Sequence, residues 1–198
     1  HVLFRELDGE AVLLDLEGEM YFGLDEVGTR VWQSLSDFGT AEAALESVPE
    51  VVQLLRRARR AGLRVAFTQD TQVPGDPEFE IWPRHCLAGT WGWEIYDELT
   101  PLEGELLCVK NRYDGFYGSW LEHFLTHMWR VRRLLIVGTV ANICVLHTAA
   151  SAGLRWFDVV VPASAISART EFDQALTLRQ ISTLYAGTVV RDADSVSF

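Results

Sequence analysis

From residue 47 onward, short apolar runs alternate with segments of helical period, and this alternation restricts the fold more than any other feature of the chain. Ser47-Val48-Pro49-Glu50 has the form of a capping box with proline just inside a helix start. Val51, Leu54, Leu55 and Ala58 then space as one apolar face, and Gly62 supplies a stop. Residues 65–68 predict a strand, and residues 72–83, rich in Pro, Gly and acids, predict a loop. Further strands are expected at 106–109, 134–137, 159–161 and 188–190. Helices are expected at 119–128, at 142–152 closed by Gly153, and from Thr170 to about Tyr185. Strands separated by helices imply an α/β fold, a parallel sheet wrapped by helices on both faces. Such sheets bind ligands beyond the carboxyl ends of their strands, where Asp70, Lys110 and Cys144 all fall.

Residues 1–46 have a different pattern. Two strands, 11–16 and 20–24, flank Glu17-Gly18 as a hairpin, and helices follow at 25–35 and 41–45. This small hairpin-plus-helix segment sets a boundary at 46/47, with the α/β body occupying 47–198.

The net charge of −11 argues against nucleic acid, whose phosphates would be repelled, and against an anionic membrane surface. No apolar run is long enough to span a bilayer. Cys86, Cys108 and Cys144 lie at no metal-like spacing, and their odd number points to reduced thiols in a cytoplasmic setting.

Lys110 is the only lysine; the other sixteen Lys+Arg positions are arginine. Arginine cannot lose its proton in a protein, whereas a lysine ammonium can exchange one, so a single retained lysine is a candidate for proton chemistry. Cys144 sits near the start of an expected helix, where the helix field and a nearby ammonium favour a thiolate. Backbone N–H groups at such a start also suit an oxyanion. Taken alone, Cys144 fits a small buried hydrophobe as well, and Cys86 and Cys108 fit only that role. Asp70 and His85 flank a loop that could carry a metal, but two ligands are too few. Trp91, Trp93, Tyr113, Phe116 and Tyr117 make the loops aromatic-rich; they could stack on a planar substrate or simply pack the core.

Residues 49–190 resemble the isochorismatase-like cysteine hydrolases, the superfamily of nicotinamidases and N-carbamoylsarcosine amidase. The motifs that carry the resemblance are Gly138-Thr139-Val140-Ala141-Asn142-Ile143-Cys144-Val145 with His147-Thr148-Ala149, and Val109-Lys110-Asn111-Arg112-Tyr113-Asp114-Gly115-Phe116. Phe67-Thr68-Gln69-Asp70 and 82–90 look like the nicotinamidase branch in particular. The resemblance implies an amidohydrolase with an Asp-Lys-Cys triad and an acyl-thioester intermediate. Cys144 would be the nucleophile, Lys110 the ammonium beside it, and N–H groups at Ala141 and Cys144 the oxyanion hole. It also implies a cis peptide at Val140-Ala141, a small-molecule amide as substrate, and a homo-oligomer; the aromatic loops put forward Trp91, Tyr113 and Phe116 as substrate contacts.

The chain departs from the pattern twice. Nicotinamidases hold zinc or iron through an Asp-x-His pair and a later His; Asp70 and His85 match, but Gln72 stands where the first His belongs. Glutamine is a poor zinc ligand, so no cofactor is required by this reading. The triad acid should end the first strand, and Ala11-Val12-Leu13-Leu14-Asp15 offers Asp15 for that role. Yet 9–45 also resembles the PqqD-like family, which binds leader peptides, through Gly9-Glu10-Ala11-Val12-Leu13-Leu14-Asp15 and Tyr21-Phe22-Gly23-Leu24-Asp25-Glu26-Val27-Gly28. In that case Asp15 belongs to a peptide-binding hairpin, the partner is a leader peptide, and the hydrolase body lacks its first strand.

Overall fold

The structure, a computed structural model, describes the backbone of residues 2–7, 10–15 and 20–24 and the whole of residues 47–198. The chain divides into two compact units, residues 1–42 and 43–198.

In the first unit, β1 (Val2–Leu7), β2 (Glu10–Asp15) and β3 (Met20–Leu24) form an antiparallel sheet in the order β1-β2-β3. The expected hairpin is present as β2 and β3, with Asp15 opposite Met20. Strand β2 is paired on both edges, to β1 and to β3, and both pairings are antiparallel. The strand ending in Asp15 is therefore the central strand of this antiparallel sheet. The helices expected at 25–35 and 41–45 lie outside the described residues, as does the side chain of Asp15.

The second unit is the α/β body. Helix α1 (Val48–Arg60) is followed by β4 (Ala66–Asp70) and β5 (Leu106–Lys110), which pair in parallel. A short helix α2 (Leu121–His123) runs into a π turn at Phe124–Met128. Strands β6 (Arg133–Leu135), β8 (Asp158–Pro162) and β10 (Thr188–Val190) form a parallel sheet in the order β10-β8-β6. Between them lie β7 (Gly138–Thr139), helix α3 (Leu146–Leu154) and β9 (Ile166–Ser167), with β7 and β9 parallel. Helix α4 (Glu171–Leu184) precedes β10. Every strand pairing in this body is parallel, as the sequence pattern requires, and the strands are divided among three sheets.

Two local expectations give way to long-range partners. Ser47 caps α1 by position, but its hydroxyl donates to Ser167 Oγ at 3.2 Å, and Glu50 accepts from the Ala193 N–H at 3.0 Å, so no capping box closes. Gly153 lies inside α3 rather than beyond it, because the helix needs a small residue where Tyr185 crosses. Gly62 does follow α1, at φ +67°, where a residue without Cβ is unstrained. Thr170 caps α4 as expected, accepting from the Asp173 N–H at 3.1 Å.

The main core joins Cys108 of β5, Val159 and Val161 of β8, Ala149 and Ala152 of α3 and Ile181 of α4. This packing fixes the end of β5 against the start of the α3 segment, the junction on which the chemistry depends.

Candidate active site

Asp70 and Lys110 are the last residues of β4 and β5, and they are register partners. Partners in a parallel pair place their side chains on the same face, so the two strands deliver a carboxylate and an ammonium to one point. Lys110 Nζ donates to Asp70 Oδ1 at 2.8 Å, to the Arg112 carbonyl at 3.0 Å and to Cys144 Sγ at 3.7 Å. An ammonium has three N–H donors, and each has an acceptor. Lys110 is 4% exposed. The larger, planar guanidinium of an arginine would not fit these three directions, which accounts for the lysine in an arginine-rich chain.

Cys144 arrives from the other side. Strand β7 opens on Gly138 at φ +119°, a conformation that favours glycine, and after Thr139 the chain turns through an extended Val140 into a helical segment. Its first turn, Ala141–Val145, is a π turn: the Val145 N–H reaches back to the Val140 carbonyl at 3.3 Å. Such widened turns recur at functional sites. The cis peptide is at Thr139–Val140, one residue earlier than the resemblance placed it. Ala141 and Cys144 both lie in this first turn, where backbone donors outnumber intrahelical acceptors.

Burial pushes the Cys144 thiol above its ordinary range. The Lys110 charge pulls it down, Asp70 pushes it up, and hydrogen bonds from Lys110 and at Val140 lower it again. Burial also raises Cys86, with Asp70 and Cys144 adding to the rise and Lys110 opposing it. Cys86 thus shares the electrostatic environment of the site, a role its spacing gave no sign of. Cys108 is 2% exposed and belongs to the core.

The expected substrate contacts separate. Phe116 is 6% exposed and packs in the core against Phe157, with ring centroids 6.2 Å apart. Trp91 is 89% exposed, on a single 3₁₀ turn. Tyr113 alone of the three is held among polar aromatics. Its hydroxyl accepts from Trp82 Nε1 at 2.5 Å, and its ring meets His147 edge-on at 5.4 Å. The Arg169 guanidinium lies over Trp82, 5.0 Å from the ring centre. Trp82 and His147 fall within motifs that carry the resemblance but were given no role there, and Arg169 was not singled out, because nothing in their spacing places the three together.

Among the described residues, no group of three or more His, Cys, Asp and Glu is arranged to hold an ion. Asp70 is paired to Lys110, and His85 sets Nδ1 2.8 Å from the Pro83 carbonyl and Nε2 3.6 Å from Glu78. Gln72 is fully buried: its amide nitrogen reaches Glu78 Oε2 and the Asn111 carbonyl, both at 3.4 Å, while Oε1 has no partner. Arg112 supplies the positive charge, 3.1 Å from Asp76 Oδ1 and 3.4 Å from Glu78 Oε2. Zinc prefers nitrogen and sulfur donors with carboxylates, and here the carboxylates already answer a guanidinium.

A cavity of about 300 Å³ lies elsewhere, lined by Arg133, Asp158 and Thr188 at the amino ends of β6, β8 and β10. Chemistry in open parallel sheets sits at the carboxyl ends, which is where Cys144 and Lys110 are.

The isochorismatase domain pattern matches residues 36–195. The chain belongs to the isochorismatase family. A ureidoacrylate amidohydrolase, RutB, from Stutzerimonas stutzeri is 31% identical over an alignment of 173 residues that takes in 76% of this chain and 69% of the relative. The N-carbamoylsarcosine amidase of Thermoplasma acidophilum is similar in structure, with 32% identity, a TM-score of 0.72, and coverage of 79% of this chain and 88% of that one. The nicotinamidase PncA of Bacillus subtilis gives 26% identity and a TM-score of 0.70 over 76% of this chain and 86% of its own. This member of the family is a hydrolase of carbon–nitrogen bonds other than peptide bonds. No described helix is long and apolar enough to cross a membrane.

Proposed function

We propose that this chain hydrolyses a small planar amide, with Cys144 as the nucleophile. The single observation that carries this reading is the 3.7 Å approach of Lys110 Nζ to Cys144 Sγ. A buried thiol needs a fixed cation to become a thiolate, and here one is anchored by two further hydrogen bonds. The thiolate attacks the amide carbon, the oxygen is received by the N–H groups of Ala141 and Cys144, an amine departs, and water cleaves the resulting thioester.

A carbamoyl compound suits the site better than nicotinamide. Two of the relatives above are named for ureido or carbamoyl substrates, and the residues at Asp70, Gln72 and His85 do not offer the metal that nicotinamidases use. Ammonia release from ureidoacrylate, N-carbamoylsarcosine and nicotinamide tests the reading. Turnover of a carbamoyl compound by the native chain and none by Cys144→Ala is the expected result. Activity retained in Cys144→Ala refutes it.

A second reading concerns the first unit alone. Its antiparallel sheet has β1 and β3 as outer strands, and an outer strand can accept an extended peptide by strand addition. Such a leader peptide would be bound, not cleaved. Titration of the native chain with an extended peptide, followed by backbone amide shifts in residues 2–7 and 20–24, tests that reading.

A further inference from the structure

We infer that this chain docks head to tail on a second copy of itself, a basic, aromatic patch at the amino ends of β6 and β8 in one copy receiving the acidic, aromatic loop 91–99 of the next. The inference goes beyond the hydrolase reading and uses neither Cys144 nor Lys110.

Two segments build the basic patch. The chain reaches β6 through Met128, Arg130, Arg132 and Arg133, and reaches β8 through Leu154 and Trp156. The Asp158 N–H donates to the Arg132 carbonyl at 2.8 Å, which lays the two segments side by side. Trp156 is 92% exposed, Leu154 72% and Met128 61%. The three arginines are exposed as well, and none has an ion-pair partner among the described residues. Arg64 extends the patch, its guanidinium carbon 6.0 Å from the centre of the Trp129 ring. Of the nearby acids, Glu122 answers Arg155 at 2.9 Å, and Asp158 is the register partner of Arg133, so the remainder is positive. Arg130 at φ +53° and Trp156 at φ +63° hold left-handed backbone, which non-glycine residues avoid. The turns beside them are fixed: Val131 N–H donates to the Leu125 carbonyl and Trp156 N–H to the Gly153 carbonyl, each at 3.0 Å. Exposed tryptophan and methionine among unpaired arginines make the composition of a protein interface, not of a solvated face.

The loop has the opposite sign. Residues 86–109 contain no Lys, Arg or His. Glu94, Asp97 and Glu98 are exposed and without an ion-pair partner among the described residues. Trp91 is 89% exposed and Tyr96 49%. Trp93 anchors the loop: its carbonyl accepts from Gln69 Nε2 at 2.7 Å, and its Nε1 donates to Thr71 Oγ1 at 2.8 Å.

Charge complementarity selects the occupant. Each patch combines exposed aromatic rings with unpaired charge of one sign, and the signs are opposite, so one contact covers both. An anionic bilayer or a nucleic acid would meet the arginines but leave Trp91 and Tyr96 bare, and would face a chain of net charge −11. Between two copies that overall charge is screened beyond about 8 Å at physiological ionic strength, and the groups in contact decide. Because the two patches differ, the contact is heterologous, closing into a ring or continuing as a chain of copies. The neighbour's arginines then lie against the loop that flanks the carboxyl end of β4.

Light scattering on a size-exclusion column tests this with the full chain and two charge-reversed variants. One is Arg130→Glu with Arg132→Glu and Arg133→Glu; the other is Glu94→Arg with Asp97→Arg and Glu98→Arg. The native chain should have the mass of two or more copies, and each variant alone the mass of one. An equimolar mixture of the variants should regain the mass of at least two, because the first keeps the native loop and the second the native patch. Urea midpoints close to native distinguish lost docking from lost structure. Trp156→Asn serves where a triple variant fails to fold: asparagine tolerates the left-handed backbone, and the side chain it replaces is exposed. It too should give the mass of one copy. A native mass of one copy, a variant that keeps the native mass, or a mixture that stays at one copy overturns the inference. Binding of a single native copy to phosphatidylserine vesicles, lost in the arginine variant, assigns the patch to a bilayer and overturns it as well.

Discussion

Cys144 Sγ lies 3.7 Å from Lys110 Nζ, yet burial still outweighs that charge and holds the thiol above its ordinary range. Burial thus favours the protonated sulfur, and the thiolate fraction rises as pH rises. Alkylation of Cys144 by iodoacetamide should follow that fraction, with a midpoint above the free-thiol value of about 8.5. Lys110→Met removes the charge that opposes burial, so the midpoint should move higher still. A native midpoint below the free-thiol value, or no upward movement in Lys110→Met, would contradict this account of the site.

Thr148 ties the loop after Lys110 to helix α3. Its hydroxyl accepts from the Gly115 N–H at 2.9 Å, and the residue is 9% exposed. Thr148→Val keeps the shape but leaves that N–H buried without an acceptor, which should cost about 1–3 kcal/mol. Thr148→Ser keeps the acceptor and should cost less. Urea midpoints of the two variants measure the difference.

How much of this was legible in the sequence follows from the range of each interaction. Lys110 and Cys144 were readable because strand ends and helix starts in a parallel fold are brought together by topology. The partner of Asp70 was not: a carboxylate at a strand end suits a metal or an ammonium equally, and only the β4–β5 register decides. Phe116 was expected in the pocket because an aromatic residue in a loop has no periodicity to mark its buried face. Trp82 and Tyr113 are 31 residues apart, and their hydrogen bond has no local signature. Ser47 shows the same limit. Its capping box is sound locally, but a hydroxyl 120 residues away takes the side chain.

Glu105 joins the start of β5 to helix α1. Its two oxygens accept from Arg59 Nε and Nη2, each at 2.8 Å, and Oε2 also accepts from the Leu102 N–H at 2.8 Å. The Arg59 hydrogen bonds hold the carboxyl below its usual range, and burial opposes them. A lowered folded-state pKa means that the stabilisation is present above the unfolded glutamate value, about 4.3, and fades as pH falls through the folded value. Glu105→Gln should therefore cost about 1 kcal/mol at neutral pH and almost nothing in strong acid. Chemical denaturation of both proteins at pH 7 and at pH 3 checks the sign; a gap that widens in acid would refute it.

Gly153 is required for packing rather than for turning. A Cβ built there would lie 2.8 Å from Tyr185 Cβ and 3.2 Å from the Tyr185 carbonyl oxygen. Both contacts are to groups fixed close to the backbone, so no flexible side-chain tip can move aside. Its backbone is helical, and alanine is the better helix former by about 1 kcal/mol. Overpacking a well-filled contact costs about 1–3 kcal/mol, so the clash should exceed the helical gain. Gly153→Ala is expected to destabilise the protein, with its urea midpoint lowered. The active site should change little at first, because α3 meets Tyr185 at its carboxyl end and presents Cys144 before its amino end. A stabilised Gly153→Ala variant would show that α3 and Tyr185 separate readily, and that propensity outweighs the contact.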